Sequence, residues 1–452
     1  MRRPVKIIVI GGNAAGPAAA AKAKRYNPNA DVMLFEVSEF ISTGTCEMPY
    51  VLSGEIDNYR KIVPFSPSSF QGEKGVKVFV KHFVQEIDTK KKVIVVKNLI
   101  EDKITEHDYD RLILATGSKA KTLPGFDTQL KNVFTLKNIN DLIRLGEYIK
   151  ENQVKTSIII GSGYIGLETV EALVKRNILI KVIERESKPL PGADKEFSDE
   201  VLKILNQNKV EFIGDIKEVE PVITGDKLIA VRIGDKFIET DLVLLSVGFE
   251  PDTFLAQSAK LELGKSGAIK IDQYLRTSDR FIYAAGDNVE VINAVSSKPD
   301  YIPLATHAYS LGHIAGENAA GGNTKYEPLV KNISVKIFDK FYASVGLSLD
   351  EAKRNGFEIE ETIAKARNLV NVMPGSDYVC GKVLADKNSK RIIGASFLGG
   401  KEVSGYADLL SALIKLKVHA STLSKINYNY TPPLSPFVNL LNIIGKKFSD
   451  NN

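Results

Sequence analysis

Two glycine-rich turns, each set between a β-branched run and a helical stretch, constrain the fold of this 452-residue chain more than any other feature. The first lies in KIIVIGGNAAGPAAAAKAK, where a strand at 7–10 leads through Gly11 and Gly16 into an alanine-rich helix. In a βαβ nucleotide-binding unit the first glycine permits the tight turn, the last lets the helix pack on the strand, and the helix N-terminus faces a pyrophosphate. Asn13 stands at the second motif glycine. Glu36 ends the next strand, VMLFE, where a carboxylate accepts hydrogen bonds from ribose hydroxyls.

The same pattern recurs in SIIIGSGYIGLETVEALVKR, residues 157–176, now with all three glycines, Gly161, Gly163 and Gly166. Its second strand, ILIKVIER, ends on Glu184. A carboxylate there suits the 2′-hydroxyl of NADH and repels the 2′-phosphate of NADPH, whereas Arg185 directly after it partly reverses that preference. The sequence therefore favours NADH and leaves NADPH possible.

Two such units in one chain indicate two dinucleotides, normally one flavin and one nicotinamide. Three further segments agree with this interpretation: YDRLILATGS at 109–118, TDLVLLSVGFEPDT at 240–253 and FIYAAGDNVE at 281–290. The first two run from a buried strand into a glycine turn where the chain would cross between domains. The third places the carboxylate of Asp287 beside the turn at Gly286.

Length and composition set the class of protein. A chain of this length predicts two or three domains. A net charge of +5 is too slight to argue for nucleic acid. Two cysteines cannot form a disulfide framework, which favours a reducing compartment. Since no apolar stretch approaches the roughly 20 residues of a membrane span, we expect a soluble, cytoplasmic protein that binds no membrane.

In this order, the motifs resemble those of the pyridine nucleotide-disulfide oxidoreductase family along the whole chain. The resemblance implies an α/β fold with two Rossmann-like dinucleotide-binding domains, for FAD and NAD, plus a C-terminal α+β dimerisation domain. The implied FAD-binding domain is discontinuous, at 1–118 and 247–325. The NAD(P)H-binding domain would occupy 119–246, and the dimerisation domain, at 326–452, implies a homodimer.

The resemblance also assigns the cofactor residues. Asp287 would contact the ribityl chain of the flavin and Glu36 its adenosine ribose, while Tyr164 and Glu168 would line the nicotinamide–flavin contact. The full set implied for FAD is Gly11, Gly12, Ala15, Gly16, Glu36, Thr116, Gly117, Gly286, Asp287, Pro303, Leu304 and Ala305. The set implied for NAD is Gly161, Gly163, Tyr164, Ile165, Glu168, Glu184 and Gly248.

One of the two cysteines, Cys46, lies in ISTGTCEMPY. Most members of the family carry two redox cysteines spaced C-x4-C, but here Ile41 and Val51 occupy the positions five before and five after Cys46. That excludes a dithiol. The stretch STGTCEMPY instead resembles the S-F-x-N-C-x-L-P-Y of the single-cysteine branch, with matches at Ser42, Cys46, Pro49 and Tyr50.

This branch contains coenzyme A-disulfide reductases, persulfide and polysulfide reductases, and NADH oxidases or peroxidases. NYNYTPPLSPF resembles its C-terminal Y-A-P-P, and the matching Tyr430 would reach the active site of the other subunit. The candidate catalytic residues are therefore Cys46, Tyr430 and Ser42. The peroxidase members carry a histidine in the first glycine loop; GGNAAG has none, which counts against a peroxidase.

A lone thiol that receives an electron pair can cycle as a mixed disulfide, a persulfide or a sulfenic acid. Each cycle needs a lowered pKa at the Cys46 thiol. A helix N-terminus and the flavin could lower that pKa, while the neighbouring Glu47 opposes it. Three functions stay open: reduction of a small disulfide, persulfide or polysulfide; an NADH oxidase that passes through a sulfenic acid; and an electron-transfer flavoprotein subunit that serves a protein partner.

For a coenzyme A substrate the candidate phosphate ligands are Lys22, Arg25 and Lys74. His313 replaces the usual arginine of the helix near the flavin, and Met373 stands where a second tyrosine is expected. These departures favour a smaller or more apolar sulfur substrate. We expect no metal site, because His307 and His313 lack a third ligand at a recognisable spacing, and an inert buried thiol at Cys380.

Overall fold

The computed structural model describes residues 3–450, so residues 1, 2, 451 and 452, at the outer edges of the predicted domains, lie outside the described range. The first segment carries two 3-10 turns, at Thr45–Glu47 and Tyr59–Ile62. Its other elements are β1 (Lys6–Ile10), α1 (Ala15–Tyr26), β2 (Asp31–Phe35), α2 (Met48–Ser53), α3 (Pro67–Lys74), β3 (Lys77–Phe79), β4 (His82–Asp88), β5 (Val93–Asn98), β6 (Lys103–Asp108), β7 (Arg111–Leu114) and β8 (Ser118–Ala120).

The inserted segment repeats the alternation of strand and helix. Its elements are β9 (Val133–Phe134), α4 (Ile139–Asn152), β10 (Thr156–Ile160), α5 (Tyr164–Val174), β11 (Leu179–Ile183), α6 (Lys195–Gln207), β12 (Glu211–Ile213), β13 (Glu220–Thr224), β14 (Lys227–Ile233), β15 (Lys236–Glu239) and β16 (Leu242–Leu245). The chain then returns through β17 (Phe249–Pro251), α7 (Phe254–Ser258), β18 (Ile269–Lys270), β19 (Ile282–Ala284), β20 (Val289–Ile292), β21 (Pro299–Asp300) and α8 (Ala305–Ala319).

The C-terminal segment alternates less regularly. It contains β22 (Asn332–Ile337), β23 (Lys340–Gly346), α9 (Leu349–Arg354), β24 (Ile359–Arg367), β25 (Tyr378–Asp386), β26 (Ile392–Gly399), α10 (Glu402–Lys415), a 3-10 turn (Ala420–Lys425) and α11 (Leu440–Asp450). Its five strands form one antiparallel sheet in the order β22-β23-β26-β25-β24.

Two parallel five-stranded sheets form the nucleotide-binding part, in the orders β19-β7-β1-β2-β3 and β12-β11-β10-β16-β9. The central strands are fully buried apolar runs, as a sheet covered on both faces requires. Since β19 comes from the returning segment, the two segments on either side of the insertion share one sheet. The chain crosses at β8 and β17, which pair antiparallel with Ser118 opposite Pro251. The predicted α/β fold with two Rossmann-like domains and a C-terminal α+β domain is confirmed.

Helices α1 and α8 pack at a distance that only glycine allows. A Cβ at Gly312 would lie 2.3 Å from the carbonyl oxygen of Ala15, and one at Gly316 would lie 2.1 Å from that of Ala19. This contact holds α8 against the helix that follows the first glycine loop.

Ion pairs join the inserted domain to the C-terminal sheet. Lys382, which is 5% exposed, lies 3.3 Å from Asp194 and 3.0 Å from both Glu196 and Glu361. Among the helices of residues 3–450, none is both long and apolar enough to cross a membrane.

Candidate active site

Cys46 lies at the centre of the 3-10 turn that runs directly into α2, and its residue is exposed. Two backbone hydrogen bonds anchor this loop: Ser42 N–H donates to the carbonyl of Gly12 at 2.7 Å, and Gly44 N–H donates to the carbonyl of Ile62 at 2.7 Å. Ser42 has a φ of +53°, so the chain turns sharply at the contact with the glycine loop. The redox-candidate thiol is therefore tied directly to the first nucleotide motif.

Two residues that depart from the expected motifs contact each other: Asn13, in place of the second motif glycine, and Thr43, in place of the phenylalanine of S-F-x-N-C. The hydroxyl of Thr43 donates to the side-chain carbonyl oxygen of Asn13 at 3.0 Å. Asn13 stands in the first glycine loop and Thr43 in the Cys46 loop, so the pair adds a second bond between these two loops.

The surroundings of Cys46 disfavour its thiolate. Although the residue is open to solvent, desolvation by its neighbours raises the pKa of the thiol, and the negative charges of Glu47, Glu168 and Asp287 raise it further. Lys137 acts in the opposite sense. The polypeptide's own groups thus do not supply the lowered pKa of the Cys46 thiol that the proposed cycles need, because desolvation opposes the thiolate and the nearby carboxylates add to that effect.

Sequence reasoning missed Lys137, which no motif marks. Its ammonium lies 3.5 Å from Oδ2 of Asp287 and 4.3 Å from the ring centroid of Phe249. The hydroxyl of Ser118 donates to the same Asp287 oxygen at 3.1 Å. The inserted segment therefore places a cation beside the carboxylate expected to contact the ribityl chain.

The first glycine loop has the shape of a pyrophosphate cradle. Gly11 has a φ of +109°, and a Cβ there would lie 2.1 Å from the carbonyl oxygen of Ala115. A Cβ at Gly16 would lie 1.8 Å from the carbonyl oxygen of Gly11. The N-terminus of α1, where Ala15 stands, has neither a side-chain cap nor an acidic residue in its first turn, which leaves its N–H groups open to an anion.

The other residues assigned to FAD border this loop. Glu36 accepts from Gly12 N–H at 2.6 Å and from Ser38 N–H at 2.8 Å. Gly286 has a φ of +103°, and a Cβ there would lie 3.0 Å from the Ala15 Cβ, so this turn sets Asp287 at the start of α1.

Thr116 and Gly117 lie where the chain leaves β7. The Thr116 hydroxyl donates to the carbonyl of Asp252 at 2.6 Å, and Gly117 has a φ of +70°. Pro303, Leu304 and Ala305 form the start of α8, whose N-terminus has no side-chain cap. Open amides and a glycine cradle fit a dinucleotide; the residues that would hold FAD are thus those of the first loop, Glu36 and Asp287.

The second glycine loop repeats this geometry at the start of α5. Gly161 has a φ of +100°, and a Cβ there would lie 2.3 Å from the carbonyl oxygen of Ser246. Gly163 is the N-cap of α5, without a side-chain hydrogen bond and with no acidic residue in the first turn. Tyr164 and Ile165 open the helix, and Gly248, with a φ of +97°, follows the strand β16. This loop fits a second dinucleotide.

Glu184 is 6% exposed and held by its own loop. Its carboxylate accepts from the N–H and the hydroxyl of Ser162, both at 2.7 Å, and from the N–H groups of Arg185 at 2.7 Å and Glu186 at 3.1 Å. The side chain of Arg185 is 75% exposed and lies 3.3 Å from the carboxylate of Glu186. Glu184, the acid expected to favour NADH, is therefore held in place by hydrogen bonds. The side chain of the adjacent Arg185, the cation expected to favour NADPH, is mostly exposed.

Glu168 lies one turn into α5 and accepts from the hydroxyl of Tyr50 at 3.3 Å. Burial raises the pKa of Glu168 to about 7, and it also raises the pKa of Tyr50 and of Tyr164. Tyr50 stands on α2, four residues after Cys46. Both residues lie in motifs that can be recognised in the sequence, but nothing in the sequence indicates that they touch.

Two of the three predicted substrate cations lie together. Lys22 forms an ion pair with Glu317 at 2.7 Å. Burial lowers the pKa of His313, and the nearby charges of Arg25 and Lys22 lower it further. Lys74 lies on α3, 5.3 Å from the ring centroid of Phe65. Lys22, Arg25 and His313, the histidine that replaces the usual arginine, therefore lie close together where α1 packs on α8, and Glu317 neutralises Lys22.

Tyr430 is 48% exposed and packs edge-to-face on Phe437 at 5.3 Å. Leu434 and Phe437 beside it are 74% and 80% exposed. Cys380 lies on β25 and is partly exposed rather than fully buried; burial raises the pKa of its thiol. Within residues 3–450, no cluster of histidine, cysteine and acidic side chains could hold a metal ion.

Residues 5–312 match the family described as pyridine nucleotide-disulphide oxidoreductase, and residues 333–440 match its dimerisation domain. The NADH oxidase of Methanocaldococcus jannaschii is 29% identical over 432 residues, which span 95% of this chain and 96% of that protein. The CoA-dependent NAD(P)H sulfur oxidoreductase of Pyrococcus furiosus is 30% identical over 439 residues, with 95% and 96% covered.

Solved structures agree. Reduced Bacillus anthracis CoADR-RHD superimposes with a TM-score of 0.94 at 29% identity, covering 99% of this chain and 80% of that one. The NAD-dependent persulfide reductase from A. fulgidus gives 0.94 at 30% identity, covering 99% and 83%. Since the family and its dimerisation domain together match most of this chain, the chain belongs to the pyridine nucleotide-disulphide oxidoreductase family and is an FAD-dependent NAD(P)H oxidoreductase.

Proposed function

We propose that the enzyme reduces a small disulfide, persulfide or polysulfide at Cys46, with electrons from NADH in preference to NADPH. The observation that carries the proposal is the single exposed thiol of Cys46 in a turn bonded to the first glycine loop. Ile41, where a second redox cysteine would stand, is fully buried in the core. The other sulfur must therefore come from the substrate.

The reaction then follows from one thiol. The Cys46 thiolate attacks a disulfide R–S–S–R, its S–S bond breaks, and a Cys46–S–S–R bond forms while RS⁻ leaves and takes a proton. Bound FAD would accept the hydride of NAD(P)H and make its electron pair available to this mixed disulfide. The pair breaks the Cys46–S–S–R bond, which restores the thiolate and releases RSH. With a polysulfide the retained group is one sulfur and the product is hydrosulfide.

Relatives named a CoA-dependent NAD(P)H sulfur oxidoreductase and a persulfide reductase support this choice. The neighbouring cations Lys22 and Arg25 are candidate ligands for a phosphate-bearing thiol such as coenzyme A, with Lys74 as a further candidate. Because Lys22 is already paired with Glu317, binding a phosphate there would require that ion pair to open.

We also propose a homodimer in which Tyr430 serves the partner's active site. The exposed apolar side chains of Leu434 and Phe437 beside Tyr430 are the surface expected to bury itself between two copies. Light scattering should give about twice the chain mass. A Leu434→Asp, Phe437→Asp double variant should be monomeric, should keep flavin reduction by NADH, and should lose turnover with sulfur acceptors.

An NADH oxidase is the second candidate, supported by the relative of that name and by the openness of Cys46 to solvent. In that reaction oxygen would be the acceptor and Cys46 would pass through a sulfenic acid. An electron-transfer role for a protein partner is the third.

Steady-state consumption of NADH separates the three. We would measure it anaerobically with coenzyme A disulfide, anaerobically with sodium tetrasulfide, and in air without either. Turnover with a sulfur acceptor that exceeds turnover in air supports the proposal. The reverse favours the oxidase. Reduction of the flavin by NADH without turnover in any arm favours the protein partner. The mass of Cys46 in the isolated enzyme gives an independent answer, since coenzyme A, one sulfur and one oxygen add different masses.

A further inference from the structure

A cavity of about 450 Å³ lies beside the start of the edge strand β19, and its volume is in the range of small-molecule sites. Three separate segments line it: the hairpin turn between β4 and β5, the chain just after α7, and the residues that lead into β19. Each segment contributes one basic side chain, namely Lys92, Lys260 and Arg280. The fold therefore brings three cations from distant parts of the sequence to one cavity.

These three cations have no carboxylate partner among residues 3–450. The ammonium of Lys92 lies 3.3 Å from the ring centroid of Phe281, and the guanidinium carbon of Arg280 lies 4.7 Å from the same centroid. The guanidinium of Arg111, 5.2 Å from that centroid, donates to the backbone carbonyl of Asp110 rather than to a carboxylate. No ion pair therefore compensates the positive charges around this ring within the described part of the chain.

The nearby carboxylates are held by backbone groups. Asp279, the acid that lines the cavity, accepts from the N–H of Phe281 at 2.8 Å. Asp88, at the end of β4, accepts from the N–H groups of Lys90 at 3.0 Å and Lys91 at 2.9 Å. The lining thus carries three positive charges against one negative charge. An anion is attracted to such a cavity and reduces the repulsion among its cations.

Two hydroxyl groups add hydrogen-bond donors to the lining, those of Ser278 and Thr89. The hydroxyl oxygen of Ser278 accepts from the N–H of Glu262 at 3.1 Å, which leaves its own O–H to donate. Ammonium, guanidinium and hydroxyl donors together suit a phosphate group, and an arginine can bind two oxygens of one phosphate at once. A diphosphate or triphosphate offers enough oxygens for cations that come from three segments.

The cavity lies away from the residues expected to hold FAD. Phe281 directly precedes β19, and Arg111 is the first residue of β7, which pairs parallel with β19. The opposite ends of these two strands lead to Asp287 and Thr116. In open α/β sheets nucleotides bind beyond the carboxyl ends of the strands, whereas this cavity borders their amino ends. It is therefore separate from the predicted FAD site.

We propose that this cavity binds a small molecule through its diphosphate or triphosphate group, with Lys92, Lys260 and Arg280 as the phosphate ligands. The bound molecule is not the substrate of Cys46, because the Cys46 loop is bonded to the first glycine loop, at the other end of the sheet. The site does not depend on the proposed function. Its occupancy should stabilise the folded protein by mass action.

Isothermal titration calorimetry on the holoenzyme tests the proposal. The protein carries FAD in the first nucleotide site and NAD⁺, at a saturating concentration, in the second, so that neither glycine loop can take the titrant. The titrants are sodium pyrophosphate and ATP at constant ionic strength. We expect one pyrophosphate to bind per chain. Absence of binding up to about 1 mM pyrophosphate would overturn the proposal.

Lys92→Gln and Arg280→Gln should each weaken pyrophosphate binding about tenfold, because each removes a charged donor. The double variant should show no binding over the same range. Arg280→Lys, which keeps the charge, should recover part of the affinity that Arg280→Gln loses. Lys90→Gln is the matched control, because it removes the same charge from the same hairpin turn although Lys90 does not line the cavity. It should bind pyrophosphate as wild type does.

Two results would assign the anion to another place. Equal affinity in wild type, Lys92→Gln and Arg280→Gln would show that the cavity does not hold the ligand. Loss of binding in a Lys22→Gln, Arg25→Gln double variant, with the cavity variants unaffected, would assign the anion to the predicted substrate cations. Either result contradicts the proposal.

The two titrants separate two sources of the same chemistry. Tighter binding of ATP than of pyrophosphate identifies a nucleotide, and equal binding identifies the polyphosphate group alone; both support the site if the cavity variants lose the binding. Since turnover is not measured, failure of the proposed function would leave this result unchanged. Flavin content and melting temperature of the variants, compared with wild type, exclude misfolding as the cause of weak binding.

Discussion

Ser162 donates twice to the carboxylate of Glu184, once from its N–H and once from its hydroxyl, both at 2.7 Å. The acid expected to select the nicotinamide nucleotide is thereby fixed at the base of the second glycine loop. Arg185 next to it is mostly exposed and can swing. The two side chains act in opposite directions on a 2′-phosphate, and the fixed one should dominate.

Replacement of Glu184 by alanine should therefore raise kcat/KM for NADPH relative to NADH by about tenfold, or about 1.4 kcal/mol. The reason is removal of a fixed charge that repels the 2′-phosphate and leaves Arg185 to attract it. The measurement is the rate of flavin reduction at several concentrations of each nucleotide. Arg185→Ala in the Glu184→Ala background should reverse the gain. An unchanged ratio in Glu184→Ala would contradict the assignment.

Replacement of Cys46 by serine should abolish turnover with every sulfur acceptor, because a hydroxyl forms neither a mixed disulfide nor a persulfide. Reduction of the flavin by NADH should continue at close to the wild-type rate. Cys380→Ser is the matched control, since it removes the other thiol from a strand of the C-terminal sheet. It should retain at least about half of the turnover, as expected for a thiol that takes no part in chemistry.

Lys137 should favour the Cys46 thiolate, as it is the cation that lowers the pKa of this thiol against burial and three carboxylates. Lys137→Met should therefore raise that pKa and slow alkylation of the reduced holoenzyme by iodoacetamide several-fold at pH 8, about threefold to tenfold. Lys137→Arg, which keeps the charge, should stay close to wild type. Equal alkylation rates in Lys137→Met and Lys137→Arg would show that the charge does not reach the sulfur.

The sequence was sufficient for features that repeat or depend on local chemistry. Gly11 and Gly161 could be recognised because positive φ and close backbone approach require glycine, and the buried parallel strands because β-branched runs precede both loops. Contacts between distant segments could not. Lys137 meets Asp287 across 150 residues, and the Tyr50–Glu168 bond spans 118. Neither pair produces a recognisable residue spacing in a single sequence, so neither contact could be predicted from it.

The raised pKa of Cys46 is the clearest difference between expectation and structure. From the sequence, a helix N-terminus and the flavin could lower the pKa of this thiol, and Glu47 is the one opposing charge. In the structure, desolvation raises the pKa of Cys46 most, and the carboxylates of Glu168 and Asp287, which come from two other segments, raise it further. The residues next to Cys46 in sequence give no information about charges that the fold brings to it from distant segments.

Replacement of Gly312 by alanine should destabilise the protein, whereas replacement of Gly146 by alanine should stabilise it. A Cβ at Gly312 would lie 2.3 Å from the Ala15 carbonyl oxygen, so Gly312→Ala must separate α8 from α1 and disturb the first loop. Such overpacking costs about 1–3 kcal/mol. Gly146 lies inside α4 with no atom within 4 Å of its would-be Cβ, so Gly146→Ala should stabilise by about 0.5–1 kcal/mol. Melting temperature and retained FAD measure both; a Gly312→Ala protein that retains FAD as wild type does would refute the packing argument.

Replacement of Lys382 should destabilise the contact between the inserted domain and the C-terminal sheet more than replacement of any other lysine of that contact. Its buried ammonium is shared by Asp194, Glu196 and Glu361, and Lys382→Met leaves those carboxylates facing one another without a cation. Removal of one partner from a fully buried ion pair costs about 3–5 kcal/mol, and the cost here should be smaller because the side chains of Glu196 and Glu361 are 34% and 48% exposed. The exposed pair of Lys203 with Glu200, 3.0 Å apart, supplies the control. Lys203→Met should leave the melting temperature nearly unchanged because solvent screens that pair.

The Lys382→Met protein should melt several degrees lower than wild type. Adding Glu361→Gln should recover part of the loss because it removes one of the unpaired negative charges. Equal melting temperatures for the two lysine variants would mean that solvent screens the Lys382 cluster as fully as the surface pair.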